Sequence, residues 1–338
     1  MKIKINLNID EQTKKRLIII SITILVILII ILIALYIGNQ EFRTFTNRYI
    51  LRKEIVQNNV ASIDMKNLDN PSIYAYDKYI AILDKNKLTT YSGLGKKEYE
   101  HDIEISDALY ASNNKFLVIA AKNGQNLYLI SEQNILWQTK VEGQIQKVNV
   151  NKNGYVSVII TGGSYKAVVA TYSPNGKELF KTYLSSTMAI DAEVSNDNKN
   201  LSIAEINVAG TLIQSNIRVV SVEKAGADPT NSVIYTYSSE PNKLITDIKY
   251  QDQNKLLISY DDGIYVLHEE NETEKVSFEK NKVNFASIEL NGYSVYAMEK
   301  TNSLLNTNTQ VILKNTRNRK RKHIYSKWGN KRPKNLWK

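Results

Sequence analysis

The sequence contains no cysteine and only three histidines among its 338 residues. The lack of cysteine excludes disulfides, thiolate metal sites, cysteine nucleophiles and lipid attachment through an N-terminal cysteine. His101, His268 and His323 lie far apart without ligand-like neighbours at short spacing, so a histidine metal centre is not expected. There is also no Gly-x-Ser-x-Gly elbow and no phosphate-binding loop in a strand-to-helix context. No catalytic residue, metal site or cofactor is therefore predicted, and a binding protein is favoured over an enzyme.

The formal net charge of +10 is confined to one end of the chain. Residues 301–338 contain eleven Lys or Arg and no Asp or Glu. The preceding 300 residues hold 33 basic and 34 acidic side chains, a net charge of −1. A nucleic-acid-binding surface would show a basic excess, so nucleic acid is not an expected partner of the main domain.

One long apolar run, residues 17–37, contains 21 residues and no charge. As a helix it would span about 32 Å, which matches the hydrocarbon core of a bilayer. A cleaved signal peptide has a shorter apolar region and small residues at the cut site, whereas this run ends in Leu35, Tyr36 and Ile37. The sequence therefore predicts an uncleaved transmembrane signal anchor with the lipid bilayer as its partner.

Basic residues next to the run predict its orientation. Lys14, Lys15 and Arg16 form the tightest cluster, immediately before the run. Cytoplasmic flanks are enriched in Lys and Arg, so residues 1–16 are expected in the cytoplasm and the large domain outside the plasma membrane. Residues 38–58 show helix-like spacing of aromatic residues and are expected to form a juxtamembrane stalk, either on the lipid headgroups or as a plain helical linker.

From about residue 59 to residue 300 the sequence has an all-β pattern of short β-branched and aromatic runs. Asn-Gly or Asp-Gly pairs, which suit tight hairpin turns, recur beside the runs at residues 123–124, 153–154, 175–176, 262–263 and 291–292. Units of roughly 40 to 50 residues, the length of a four-stranded propeller blade, begin near residues 62, 103, 145, 190, 245 and 285. We therefore predict a β-propeller of about six or seven four-stranded blades, with a pair of β-sandwiches as the competing fold.

The patterning changes near residue 300. Only about two strands are recognisable in the last unit, so an incomplete last blade is expected, followed by a basic tail over residues 301–338. With Trp328 and Trp337, this tail could bind anionic lipid headgroups or wall polymers. The alternative is a truncated or out-of-frame end, because the loss of acidic residues and of strand patterning coincide.

Two other features have both a functional and a structural interpretation. Asp261 and Asp262 precede Gly263 and could form a cation site or an acid pair, but a polar hairpin tip is favoured. A cluster of tyrosines could stack on glycans, but ordinary sheet packing is favoured; it comprises Tyr74, Tyr76, Tyr79 and Tyr91.

Several segments resemble a known kind of protein. In the unit NLYLISEQNILWQTKVEGQI, Trp137 closes an outer strand, as in WD40-like and quinoprotein-like propellers. Together with YAYDKYIAILDKNKL, VNKNGYVSVI and SNDNKNLSIAEI, the layout of about residues 40 to 300 resembles an uncharacterised family of single-pass, membrane-anchored bacterial propeller proteins. The family is a domain of unknown function, so the resemblance implies architecture and supplies no catalytic residues. No calcium-ligand arrangement of quinone-dependent enzymes is recognisable.

These observations lead to two functional hypotheses. The first is a membrane-tethered, extracytoplasmic binding or scaffold module whose loops bind a protein or glycan of the cell envelope. The second is a cell-wall glycan-acting enzyme with carboxylates from several blades converging on a central funnel.

Overall fold

The structure is a computed structural model that describes residues 11–39, 42–43, 46, 50, 62–105, 107–209, 212–228, 231–251, 253–278, 283–288, 293–303, 306–315 and 321–324. The chain divides into two compact units, Met1–Ala61 and Ser62–Lys338. Among the described residues, the first unit contains one long helix, and the strands belong to the second unit.

Helix α1 spans Glu11–Gly38 and contains the predicted apolar run. Its stretch Lys15–Gly38 is, within the described residues, the one helix long and apolar enough to cross a membrane. The apolar side chains from Leu17 to Ile33 are exposed on every face of the helix, so no protein core covers them. Lys14, Lys15 and Arg16 belong to the same helix, just before the apolar run. The predicted stalk lies almost entirely outside the described residues.

The second unit consists of six four-stranded sheets, each antiparallel and each formed by strands consecutive in the chain. The first three sheets contain β1 Ser72–Tyr76, β2 Tyr79–Asp84, β3 Lys87–Ser92, β4 Lys97–Asp102, β5 Ala108–Asn113, β6 Phe116–Ala121, β7 Asn126–Ser131, β8 Asn134–Lys140, β9 Gln144–Val150, β10 Val156–Thr161, β11 Ala167–Tyr172 and β12 Glu178–Leu184.

The other three sheets complete the domain. They contain β13 Met188–Val194, β14 Asn200–Asn207, β15 Gln214–Ser221, β16 Val233–Ser238, β17 Ile245–Tyr250, β18 Lys255–Tyr260, β19 Gly263–His268, β20 Asn271–Ser277, β21 Val283–Ser287, β22 Tyr293–Ser303, β23 Asn306–Asn315 and β24 Arg321–Ile324. A short helix, α2 Val222–Ala227, lies between β15 and β16. The sheets are the blades of a β-propeller, which confirms the predicted fold, and there are six of them.

Apolar layers hold successive blades together. Each of five buried clusters draws residues from two neighbouring blades, from the first and second through to the fifth and sixth. Between the second and third blades, for example, Val118 and Leu129 of one blade and Val158 of the other are fully buried. Each such side chain contributes about 1.5–3 kcal/mol relative to exposure, so these layers supply most of the cohesion between blades.

Trp137 connects the outer strand of the second blade to the third. Its indole Nε1 donates to the carbonyl oxygen of Pro174 at 3.1 Å, and its ring lies 5.8 Å from that of Tyr172. The turn it covers contains Gly176, whose φ is +83°. Trp137 therefore lies on an outer strand, as expected, and packs that strand against the third blade.

The two ends of the repeat differ from the sequence prediction. The first blade begins at β1, residue 72, and the proposed opening near residue 62 forms turns, because local bonds such as Leu68 N–H to the Met65 carbonyl replace a ladder. The prediction of an incomplete last blade is wrong. The hairpin ladder of β22 and β23 continues through Thr301 and Thr307, and β24 completes the sheet with Arg321–Ile324. The Asn- and Thr-rich composition of this segment concealed the strands, since their pairing depends on the hairpin and not on an apolar alternation.

Gly176→Ala should destabilise the propeller. A Cβ at this position would lie 2.8 Å from Cγ of Trp137, and the positive φ costs a non-glycine residue about 1–2 kcal/mol. We expect a loss of about 2 kcal/mol or more in the free energy of unfolding, measured by denaturant titration. Gly163→Ala is the matched control, since nothing lies within 4 Å of its added Cβ. Equal midpoints for the two variants would contradict this role for Gly176.

Candidate functional site

The innermost strands of the third, fourth and fifth blades share a β-bulge. The register of β9, β13 and β17 skips one residue at Gln146, Ile190 and Thr246, respectively. A bulge twists the strand and redirects the side chains that follow it. The polar residues directly after the three bulges converge on one another. We call the six residues at the first and third positions after the bulges the central cluster; they are Lys147, Asn149, Asp191, Glu193, Asp247 and Lys249.

The first layer of the central cluster joins three blades through one lysine. The Lys147 ammonium lies 3.2 Å from Asp191 and 2.8 Å from Asp247. The Asp191 side chain is fully buried, whereas those of Asp247 and Lys147 are 17% and 32% exposed. Carboxylates from the fourth and fifth blades therefore meet at a cation from the third.

The second layer lies two residues further along the same strands. The Lys249 ammonium and the Glu193 carboxylate form an ion pair of 2.9 Å, with side chains 10% and 2% exposed. Asn149 donates through Nδ2 to Asp191 Oδ1 at 2.6 Å and to the Ala192 carbonyl at 2.9 Å. The two layers are thus connected through Asn149.

The carboxylates of the cluster also bind backbone. Oδ2 of Asp191 accepts the N–H of Ile248 at 2.9 Å, and Oε2 of Glu193 accepts the N–H of Tyr250 at 2.6 Å. The N–H groups belong to β17, which has a strand neighbour on one side only. A buried N–H without an acceptor would cost about 1–3 kcal/mol, so the two carboxylates satisfy the open edge of the next blade.

These contacts determine the ionisation of Asp191. Burial by itself would raise the pKa of this carboxyl, but the Lys147 ammonium and the Ile248 N–H together hold it below its usual value. Asp191 is therefore a buried carboxylate that stays ionised at neutral pH.

The convergence of carboxylates from different blades agrees with the geometric part of the enzyme hypothesis. A glycosidase, however, needs a general acid with a raised pKa that can reach the substrate. Asp191 has a lowered pKa and no exposed surface, and Glu193 is held by Lys249 and by a backbone N–H. The arrangement suits cross-linking of blades better than proton transfer. Within the described residues, no group of three or more acidic or histidine side chains could hold a metal ion.

The residues singled out from the sequence lie elsewhere. Asp261 and Asp262 occupy the tip between β18 and β19, where Asp261 Oδ1 accepts the Leu244 N–H at 3.1 Å and Asp262 lies 3.7 Å from the Lys243 ammonium. His101 Nε2 lies 3.0 Å from the Gln133 carbonyl oxygen. His268 is exposed on the fifth blade, and the side chain of His323 lies outside the described residues.

The tyrosine cluster packs mainly inside the first blade. Tyr74, Tyr76 and Tyr79 are buried in the apolar layer between the first and second blades, and Tyr91 is half-buried. The Tyr76 hydroxyl bonds to the Tyr99 hydroxyl and to the Glu132 carbonyl. Sheet packing, the favoured interpretation, accounts for them.

The sequence contained a signal for the central cluster that the search for motifs missed. The strands IQKVNV, IDAEVS and ITDIKY each open a repeat unit and carry polar residues at alternate positions between apolar ones. In a propeller, alternate residues of an innermost strand share one face and meet the equivalent strands of other blades. Opposite charges at equivalent positions of these strands, Lys147 against Asp191 and Asp247, were therefore the feature of the sequence that could have predicted the central cluster.

A comparison with protein families matches residues 52–331 to the model described as "Family of unknown function (DUF5711)". The chain belongs to this family. The match begins after α1 and extends through the whole propeller to the end of the sixth blade. The family resemblance inferred from the sequence is confirmed, and the family extends beyond residue 300. A search among curated proteins finds no match.

Solved structures share the fold at low sequence identity. Hydrazine synthase from Kuenenia stuttgartiensis has a TM-score of 0.52 and 11% identity, over 78% of this chain and 80% of that one. The Pan2 WD40 domain from Neurospora crassa has a TM-score of 0.45 and 10% identity, over 67% of this chain and 70% of that one. At these identities the likeness concerns the fold alone, and no activity transfers with it.

Lys147→Met should be strongly destabilising, because it leaves the buried Asp191 carboxylate without its cation. Breaking a buried ion pair from one side costs about 3–5 kcal/mol. Chemical denaturation would measure this loss, and Lys181→Met, which removes a surface pair with Glu178, is the control with an expected change under about 1 kcal/mol. In a cycle with Asp191→Asn, purely additive effects of the two substitutions would refute the coupling.

Acid should weaken the fold through Asp191. Because the folded-state pKa of this carboxyl lies below the unfolded value of about 3.9, its ionised form stabilises the protein fully above that value. The contribution is lost as the pH falls through the folded-state pKa. Unfolding free energies measured from about pH 5 down to about pH 2 should therefore decline more steeply in the wild type than in Asp191→Asn. Parallel curves would show that Asp191 is not the responsible group.

Proposed function

We propose that this protein is a membrane-tethered, extracytoplasmic binding or scaffold module of the cell envelope. The observation that carries the proposal is the pairing of an exposed apolar helix of membrane-spanning length with a propeller whose central charges are consumed in contacts between blades. A propeller built in this way is a rigid platform that displays loops. Its binding partner is a protein or glycan of the envelope.

The orientation follows from the basic residues of α1. Lys14, Lys15 and Arg16 precede the apolar stretch, and positive charge is retained on the cytoplasmic side of a membrane. The N-terminus is therefore cytoplasmic, and the propeller lies outside the plasma membrane. The helix acts as an uncleaved anchor.

The orientation is tested by protease accessibility on intact cells that carry a C-terminal tag on the protein. We expect digestion of the tag from outside. The variant Lys14→Gln/Lys15→Gln/Arg16→Gln should protect a larger fraction of the tag, because the charge bias that retains the N-terminus inside is reduced. Lys122→Gln/Lys140→Gln/Lys152→Gln, three exposed changes in the propeller, is the control and should behave as wild type. A tag that is protected in intact wild-type cells and digested only after lysis would overturn the orientation.

Binding is tested by affinity capture of the full-length protein from solubilised envelopes, followed by identification of proteins and glycans. Repeated capture without a specific partner would count against the proposal.

The alternative is an enzyme acting on wall glycans through the carboxylates that converge on Lys147. This hypothesis is favoured by one observation, the meeting of Asp191 and Asp247 from different blades. Asp247→Asn separates the two functions, because an enzyme of this kind would lose hydrolysis of purified wall glycan by orders of magnitude while a scaffold would retain partner capture.

A further inference from the structure

A cleft of about 180 Å³ opens between the fourth and fifth blades and is lined by Tyr250, the residue that follows Lys249 of the central cluster. Its floor is apolar and consists of Val219 from the fourth blade with Leu256 and Leu267 from the fifth, all of them buried. Pockets for drug-sized ligands measure about 300–1,000 Å³, so this cleft suits a single ring.

The rim of the cleft carries polar groups without protein partners. They are the Tyr235 hydroxyl, the side-chain amides of Asn200, Gln253 and Asn254, and the Glu269 carboxylate. Among the described residues, none of these side chains has a hydrogen bond or ion pair. In the central cluster, by contrast, the Asp191 and Glu193 carboxylates are bound both by ammonium groups and by backbone N–H groups. The cleft therefore concentrates unused donors and acceptors around an apolar floor.

Tyr250 forms a fixed wall of the same cleft. Its hydroxyl lies 2.7 Å from Oγ of Ser202, and its carbonyl oxygen accepts from Nδ2 of Asn196 at 3.3 Å. Burial raises the pKa of Tyr250 and of Tyr235, so both phenols stay neutral at physiological pH. The Tyr250 wall is thus held in place before any ligand arrives, which lowers the entropic cost of binding.

The lining selects the kind of ligand. Amides and hydroxyls both donate and accept hydrogen bonds, and tyrosine faces pack against C–H groups. A pyranose ring offers both, with hydroxyls around its edge and an apolar face. Among the described residues, the lining of the cleft includes no Lys or Arg and one carboxylate, which disfavours anionic sugars and phosphates. A peptide side chain of this size would leave most of the rim unpaired.

We infer that this cleft binds an uncharged pyranose ring of an envelope glycan. The inference rests on the proposed function, since it names the ligand class of the binding module. Tyr235 and Tyr250 contact the ring faces, while Gln253, Asn254 and Glu269 bind its hydroxyls.

The test uses the full-length protein in lipid nanodiscs, because alkyl glycoside detergents carry sugar headgroups that would compete. Saturation-transfer NMR with maltotriose and chitotriose should show transfer to pyranose protons, whereas trigalacturonate, which is anionic, should show none. Tyr235→Phe and Gln253→Ala each remove one hydrogen-bonding group and should raise the Kd about 3- to 10-fold. Tyr183→Phe, at an exposed tyrosine of the third blade, is the matched control and should leave the Kd unchanged.

Gln253 is exposed in a turn, so its substitution tests the cleft even if Tyr235→Phe alters folding. Absence of transfer from both neutral oligosaccharides, or a Kd unaffected by Gln253→Ala, would overturn the inference. Capture of an envelope protein that Gln253→Ala weakens, without oligosaccharide binding, would also overturn it in favour of a peptide ligand. That last result would leave the tethered binding module intact.

Discussion

The open edge of each innermost strand is the constraint on which the rest of the propeller depends. Each sheet begins with a strand that has a neighbour on one side only, and in the third, fourth and fifth blades this strand is mostly buried after its bulge. The backbone groups on the free side still need partners. Between the fourth and fifth blades the partners are the Asp191 and Glu193 carboxylates, and between the third and fourth they are Asn149 and Ser157, which donate to the Ala192 carbonyl. Side chains thus form the hydrogen bonds that a neighbouring strand would otherwise form with these backbone groups.

This solution places charge in the interior, and the charge must be balanced. The desolvation cost of the two buried carboxylates is offset because the Lys147 and Lys249 ammonium groups lie against them. A buried ion pair adds little net stability compared with apolar packing, but it constrains the relative position of two blades. A blade shifted by one residue would leave a buried charge without its counter-ion. The apolar layers therefore stabilise the contacts between blades, and the central cluster fixes the position of one blade relative to the next. These carboxylates are poor candidates for acid–base chemistry, because their oxygens already accept from ammonium and backbone N–H groups.

Much of the fold was predictable from local chemistry. The turn glycines Gly124, Gly154 and Gly176 and the apolar strands such as residues 126–131 carry their structure in their own sequence and lie at the predicted places, whereas Gly292 lies outside the described residues. The last blade was not predictable in this way, because β22 and β23 continue through Asn- and Thr-rich residues that pair only as a hairpin. The central cluster was hidden for a different reason. Lys147 and Asp247 are a hundred residues apart, and their contact exists only once three blades are arranged around one centre.

The central cluster and the cleft differ in whether their polar groups already have hydrogen-bond partners, and this difference distinguishes a structural region from a candidate binding site. At the centre, the charged groups already bind one another and backbone N–H groups, so a ligand would have to break existing contacts. In the cleft between the fourth and fifth blades, a ligand replaces only water. A site of one ring has few atoms with which to gain affinity, and its binding as a single site is weak. Under the proposed function, tethering would change this balance, because many anchored copies facing a repeating polymer bind with avidity that no single cleft provides. Under the proposed function, the membrane anchor and the cleft contribute separately to binding, the anchor through avidity and the cleft through recognition of one ring.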